Sequence, residues 1–285
     1  MRTVTVLRTG PQALVQDLGR TGFAALGVPP SGALDTPSLT LANRLVGNPP
    51  DAAALEVLLG GLHLRADASC TVAVTGPSVD VLVDGVHRDS PFHLAAGEEV
   101  RLGTPAHGLR NYLAVSGGLD VDPQLGSRST DLLSGIGPDP LADGHVLPLG
   151  DVLGVPVGVD VLVPVRVPDE LVVPVLLGPR EGWFNDPTFQ LSNGSWTVSE
   201  RSNRVGVRLV GTALQREERY KSRELPSEGL VTGAVQVPAD GQPAVFLADH
   251  PTTGGYPVIG VVPERSLPLL GQALPGTRLR FRPQG

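Results

Sequence analysis

The 36 glycines and 28 prolines of this 285-residue chain are spread along its whole length, with no single linker collecting them. Both residues interrupt regular structure, so a chain punctuated this often is directed to short strands and tight turns instead of long helices. Between the breaks, apolar and polar residues alternate in Thr3 to Leu7, Cys70 to Thr75, Val79 to Val83, Tyr112 to Val115 and Thr277 to Arg282, the pattern of half-buried strands. Asp84-Gly85 between two apolar runs predicts a two-residue hairpin, because both central residues of that turn need positive φ. One helix is predicted over Asp35 to Val46. Asp35 is its N-cap, Pro37 lies in its first turn, Leu39, Ala42 and Val46 fall at helical spacing, and Gly47-Asn48 closes it. Shorter helical turns are expected at Pro187 to Ser192 and Ser266 to Leu274. The fold class is therefore mainly β with few short helices, its strands closed or sandwiched to protect their edges. A change of texture through Asp151 to Pro179 places a soft boundary near Pro164 between two β subdomains, 1–164 and 165–285, with a single domain over 1–285 the alternative.

Charge and composition narrow the function classes. The net charge is −7 and no basic stripe is visible, which argues against nucleic acid as a partner. Asp160, Arg166, Asp169 and Glu170 break the most apolar stretch, Asp151 to Gly178, below the length a membrane span requires. Met1 to Gly10 alternates threonine with valine and lacks the apolar core of a signal peptide, so a cytoplasmic protein is expected. Cys70 is the one cysteine, which leaves no internal disulfide and reads as a buried core thiol. The histidines, His63, His87, His93, His107, His145 and His250, never fall three or four apart, so no metal site is expected. A phosphate-binding P-loop, a nucleophile elbow and a zincin motif are all missing.

Two regions embed polar residues in glycine. The first runs from Val15-Gln16-Asp17-Leu18-Gly19-Arg20 through Gly27-Val28-Pro29-Pro30-Ser31-Gly32-Ala33-Leu34-Asp35. It suits either a ligand loop or a turn-rich connection that ends on the helix cap. In the second, strand alternation puts Arg204 and Arg208 on one face across Gly206. At about 3.4 Å per residue the two guanidinium groups stand about 7 Å apart. Such a pair fits a carboxylate or phosphate, and equally an outer sheet face in water. Thr252-Thr253-Gly254-Gly255-Tyr256 follows Asp249, and its glycines would let backbone N–H groups turn toward an anion. An ordinary tight turn has the same sequence.

Taken in order, QDLGRTG, GVPPSGALD, LANRLVGNP, YLAVSGGLDV, LGSRSTDLLSGIGP, GPREGWF, VSERSNRVGVRL, SEGLVTGAVQVPADGQP and ADHPTTGGYP resemble the KipA-like family. That family includes the C-type subunits of 5-oxoprolinases and part of the carboxyltransferase region of urea amidolyases. The resemblance covers nearly the whole chain. It implies a cyclophilin-like β-barrel and a KipI-like B subunit as partner. An A-type subunit would join them in a complex that opens 5-oxo-L-proline to L-glutamate using ATP, bound at the partner interface. The resemblance places Asp249, Glu228 and Gln236 in catalysis. Substrate or phosphate contacts would come from Arg204, Arg208, Thr252, Thr253, Gly254, Gly255, Tyr256, Asp17, Arg20 and Ser31. Two other activities accompany the family. One is a carboxyltransferase subunit served by biotin on a partner, and the other a non-catalytic regulator that binds a KipI-like protein. The chain departs from the family pattern at Gly182 and Asn203, where aspartates are expected, and at Val258, where a lysine is expected.

Overall fold

The computed structural model describes residues 2–157 and 162–284; Asp160 of the apolar stretch falls outside them. Contacts group the chain into two units. The first is Met1–Arg20, Ser31–Asp131 and Gly135–Val167, and the second is Thr21–Pro30, Leu132–Ser134 and Pro168–Gly285.

The first unit holds two antiparallel sheets. One runs in the order Val146–Pro148, Thr3–Arg8, His63–Ala66, Glu99–Leu102, Val81–Val83 and Val86–His87, and the other Gln12–Gln16, Ala54–Leu58, Arg110–Val115, Cys70–Thr75 and Phe92–Leu94. Val4, Val6 and Leu64 of one sheet and Val15, Leu55, Val72 and Leu113 of the other share one core. Cys70 is buried, and burial pushes its thiol up to about 11, which leaves it protonated and inert at neutral pH. The Asp84-Gly85 turn joins Val81–Val83 to Val86–His87 with φ of 47° and 83°, as the sequence predicts.

The helix Thr36–Leu45 is capped by Asp35, whose side chain accepts from Ser38 N. It lies over Ala54, Ala73, Ala114 and Tyr112 of the five-stranded sheet. Alanines at three of those positions let the helix approach the sheet closely, since no larger side chain separates the two backbones. Alternation within Tyr112 to Val115 implied a half-buried strand, but Arg110–Val115 is buried throughout. The helix covers the face that would otherwise meet water. Within this covered layer the Tyr112 hydroxyl donates to Glu56 Oε2 at 2.7 Å and accepts from Asp35 N at 2.8 Å. Glu56 also accepts from Leu34 N at 3.0 Å and pairs with Arg110 at 3.4 Å. Burial, then the Glu56 charge, holds the Tyr112 phenol well above its ordinary value, so it stays protonated and donates to Glu56, while Glu56 and the phenol oxygen accept from Leu34 N and Asp35 N and pin that backbone to the sheet.

The second unit is a closed seven-stranded barrel in the order Glu170–Leu177, Val258–Val261, Ala234–Gln236, Ala244–Phe246, Gly206–Gly211, Trp196–Val198 and Arg278–Gln284. The parallel pairing of Glu170–Leu177 with Arg278–Gln284 closes it, which removes every free edge. A separate ribbon pairs Glu228–Gly229 with Thr253–Gly254. The helix Pro187–Asn193 is capped by Asp186, and Leu267–Gly271 follows a 3-10 turn at Glu264–Ser266. The chain is mainly β with few short helices. No helix is long and apolar enough to cross a membrane among the described residues.

Candidate functional site

In the first unit, Asp17 is a staple between loops. Its Oδ1 accepts from Ser127 Oγ and Ser129 Oγ at 2.6 Å each and from Gly19 N at 2.7 Å, and its Oδ2 accepts from Arg128 N at 2.6 Å. A carboxylate with its lone pairs this fully engaged holds the Ser127–Ser129 loop against the end of Gln12–Gln16 and has little capacity for a ligand. Arg20 is buried and donates to Ser129 O, with Gln124 O at 3.4 Å from its Nε, so it too serves the loop. Ser31 differs. It is buried at a left-handed φ of 53°, and its hydroxyl has no protein partner. Gln16 Oε1 and Thr130 Oγ1 are likewise buried and unmatched. The first predicted region therefore divides into two structural residues and one hydroxyl with bonding capacity to spare.

The paired-arginine reading of the second region needs correction. The strand begins at Gly206, after Arg204, so strand alternation does not reach Arg204. Arg204 is 2% exposed, and it grips Asp249 through Nε at 2.8 Å and Nη2 at 2.9 Å. Asp249 is itself 0% exposed and also meets Leu132 N at 3.4 Å. Arg208 is exposed on the strand. A buried carboxylate held bidentately by a guanidinium is neutralised where it stands, so Asp249 is not placed to act as a base on a bound molecule. Asn203, where the resemblance leads one to expect an aspartate, accepts from Val205 N at 2.9 Å. An amide oxygen makes that turn bond as a carboxylate would. Val258, at the expected lysine, is buried with Leu230, Ala234 and Phe246 and adds apolar packing there without a charge.

Next to Asp249, His250 is buried and its Nδ1 lies 2.8 Å from Pro251 O. A carbonyl only accepts, so Nδ1 carries the proton of the neutral ring. Burial holds the imidazole below its ordinary 6.5, against smaller opposing effects of the Pro251 bond and Asp249. The unfolded chain then binds a proton that the folded chain refuses, so stability falls as pH drops from about 6.5 toward the folded value. Urea denaturation between pH 7.5 and pH 5 should show a loss that His250→Gln removes. An unchanged slope in that variant would assign the loss to other groups.

The Gly254-Gly255 reading changes as well. Neither glycine has positive φ, and Gly254 is paired opposite Glu228 in the ribbon. An anion nest needs left-handed backbone and free N–H groups. The glycine is explained by packing: a Cβ there would stand 2.6 Å from Gln236 Nε2 and 2.8 Å from Leu230 Cδ1. Gln236 Nε2 donates to Tyr256 O at 3.3 Å. Gln236 is 8% exposed, and its Oε1, not fully buried, accepts no hydrogen bond among the described residues, so it keeps capacity for one more donor. Glu228 is held by Arg180, through Nε at 3.1 Å and a second bond from Nη2 to Oε1. That hydrogen bond keeps its carboxyl below the usual carboxylate range, which makes Glu228 a positioned anion and a weak base. Thr253 and Tyr256 are exposed.

The structure adds residues that sequence reasoning passed over. Trp183 stacks on Tyr220 with ring centroids 4.5 Å apart, and the guanidinium groups of Arg219 and Arg223 lie over these rings. Trp183 and Arg180 sit in GPREGWF, one of the family motifs, so their signal was present. Arg216 lies in the polar run Gln215-Arg216-Glu217-Glu218-Arg219, which reads as a solvated face. Arg180, Trp183, Arg216, Tyr220, Glu228, Gln236, Gly254 and Tyr256 all belong to the second unit. They are linked through Arg180–Glu228, Glu228 opposite Gly254, Gln236 to Tyr256 O and Glu217 N to Trp183 O. These links bring stacked rings, an amide acceptor and cationic donors beside the ribbon, groups able to hold a small polar molecule with an anionic group. Among the described residues no group of three His, Cys, Asp or Glu is placed to hold a metal ion.

Residues 26–283 match the family model described as carboxyltransferase domain, subdomain A and B. The C-type subunit of Escherichia coli 5-oxoprolinase is 38% identical over 97% of this chain and 89% of its own length. Saccharomyces cerevisiae urea amidolyase is 32% identical over 98% of this chain, in a region that is 16% of that protein. Among solved structures, TTHA0988 aligns with a TM-score of 0.89 at 38% identity, over 99% of this chain and 55% of that one. Kluyveromyces lactis urea carboxylase aligns with a TM-score of 0.90 at 30% identity, over 99% and 27%. The chain thus spans about half of the first of these structures and about a quarter of the second.

Proposed function

The chain belongs to the carboxyltransferase-domain family of subdomains A and B, and from that premise we propose that it is the C-type subunit of an ATP-dependent 5-oxoprolinase. One observation carries the reading: the match to the C-type subunit of E. coli 5-oxoprolinase runs nearly end to end in both proteins. The substrate would be 5-oxo-L-proline, a five-membered lactam bearing a carboxylate. A lactam is a poor electrophile, and transfer of a phosphoryl group from ATP to its oxygen would give an activated imidate. Water would add at that carbon, the carbon–nitrogen bond would break as the ring nitrogen takes a proton, and a second water would hydrolyse the resulting acyl phosphate to L-glutamate and phosphate. In this chain, Gln236 Oε1 would accept the lactam N–H, and the Arg180–Glu228 pair would hold the ribbon that carries Gly254. The Gly254-Gly255 backbone does not fit a phosphate, so ATP is assigned to the partners, a KipI-like B subunit and an A-type subunit. Within this proposal the complex is cytoplasmic.

A second reading is supported by the urea amidolyase and urea carboxylase alignments. There the chain would transfer a carboxyl group to a small amide from biotin carried by another protein. Co-expression with B- and A-type subunits separates the two. We expect this chain to co-purify with the B-type subunit, ATP-dependent glutamate release from 5-oxo-L-proline by the complex, and none from this chain alone. Avidin-sensitive turnover of urea, with no glutamate release, would overturn the oxoprolinase assignment in favour of carboxyl transfer.

A further inference from the structure

We infer that Arg216 binds the carboxylate of the substrate, the role that the sequence pattern offered to Arg204. The two arginines differ in what already neutralises them. Arg204 is matched to Asp249 by two hydrogen bonds. Arg216 is half-buried, and among the described residues no carboxylate lies within ion-pair distance of it. Its Nη2 donates to Val237 O at 3.0 Å, its Nε is buried without an acceptor, and its Nη1, neither bonded nor fully buried, reaches solvent. A cation stripped of part of its water and given only a carbonyl dipole in return gains most from an anion at its open nitrogen, because charges interact strongly where solvent is partly excluded. Burial lowers the proton affinity of this guanidinium, and the nearby Tyr256 phenol partly offsets that, but arginine remains charged at any working pH.

The backbone around Arg216 is fixed. It bridges Phe184, Glu217 N donates to Trp183 O at 2.9 Å, and Asn185 Nδ2 donates to Arg216 O at 3.3 Å. The guanidinium is anchored to Val237, the residue after Gln236, and Val237 N in turn donates to Pro257 O at 3.0 Å, beside Tyr256. Arg216 is therefore tied to the backbone at the residue that follows Gln236. A lactam acid presents an N–H donor and a carboxylate on adjacent ring atoms. Gln236 Oε1 and Arg216 Nη1 are the complementary acceptor and cation.

The inference rests on the oxoprolinase reading for the identity of the substrate, and the test keeps the two apart. Binding of 5-oxo-L-proline and of 2-pyrrolidinone, the same lactam without its carboxylate, would be measured by calorimetry on the reconstituted complex, with glutamate release assayed in parallel. Arg216→Ala is expected to weaken 5-oxo-L-proline about tenfold or more, the scale for hydrogen bonds to charged groups, and to leave 2-pyrrolidinone unchanged. Arg216→Lys should recover part of the loss, since an ammonium keeps charge without the planar fork. Tryptophan fluorescence on both variants verifies folding. If the wild-type complex binds 5-oxo-L-proline through Arg216 without releasing glutamate, the inference stands and the reaction assignment fails. If it releases glutamate and Arg216→Ala binds 5-oxo-L-proline normally, the inference fails alone. If it neither binds nor turns over, both fail.

Discussion

Asp249→Ala is expected to destabilise the barrel unit by about 3–5 kcal/mol, the cost of leaving a buried charge without its partner. Arg204 is 2% exposed and Asp249 0%, so water cannot replace the lost carboxylate. Arg204→Ala should cost a similar amount by stranding Asp249. The double replacement Arg204→Met with Asp249→Leu should recover much of either loss, because an apolar pair of similar volume carries no desolvation penalty. Arg208→Ala, at an exposed strand position, should stay within about 0.5 kcal/mol of the parent. Both tryptophans, Trp183 and Trp196, lie in the second unit, so urea denaturation followed by tryptophan fluorescence reports on this unit directly. If Arg204→Ala melted normally while the complex lost affinity for 5-oxo-L-proline, Arg204 would be a ligand residue after all and the carboxylate site would move back to it from Arg216.

Local chemistry made much of the fold legible. A helix cap, a hairpin turn and a strand such as Cys70–Thr75 are decided by a few neighbouring residues, and the sequence carries those rules openly. Burial of Arg110–Val115 on both faces was hidden because it depends on a helix sixty-odd residues earlier folding back over the sheet. The candidate site was harder still, since its logic is pairwise and long-range. Nothing near Arg204 in sequence announces that Asp249 will neutralise it. A polar run containing Arg216 reads as solvated surface until the structure shows its Nε buried and, among the described residues, no carboxylate within ion-pair distance of it, Glu217 being paired with Arg219. Asp17 looked available for the same reason, and its four donors come chiefly from Ser127, Arg128 and Ser129, more than a hundred residues away. Glycines mislead in a further way. The pair Gly254-Gly255 suggests special backbone, whereas Gly254 is there to admit a side chain from another strand.

That packing supplies the sharpest test of the site. Gly254→Ala should reduce kcat/KM of the reconstituted complex about a hundredfold, the scale on which a displacement of about 1 Å in a positioning group acts. The added methyl would sit 2.6 Å from Gln236 Nε2 and 2.8 Å from Leu230 Cδ1, closer than side-chain carbons approach, so one or both must move. Both are the far ends of flexible side chains, and the glycine has no positive φ for alanine to strain. The stability cost should therefore remain in the usual overpacking range of about 1–3 kcal/mol, with the fold intact. Displacing the Gln236 amide breaks its tether to Tyr256 O and moves Oε1 away from the lactam N–H. Gly229→Ala is the matched control, because Gly229 lies opposite Thr253 in the same ribbon and a Cβ there meets nothing within 4 Å. It should keep both melting behaviour and turnover. A Gly254→Ala complex with parental kcat/KM would mean that the position of Gln236 does not matter to the reaction, and the lactam would have to be held elsewhere, with Ser31 of the first unit the next hydroxyl to test.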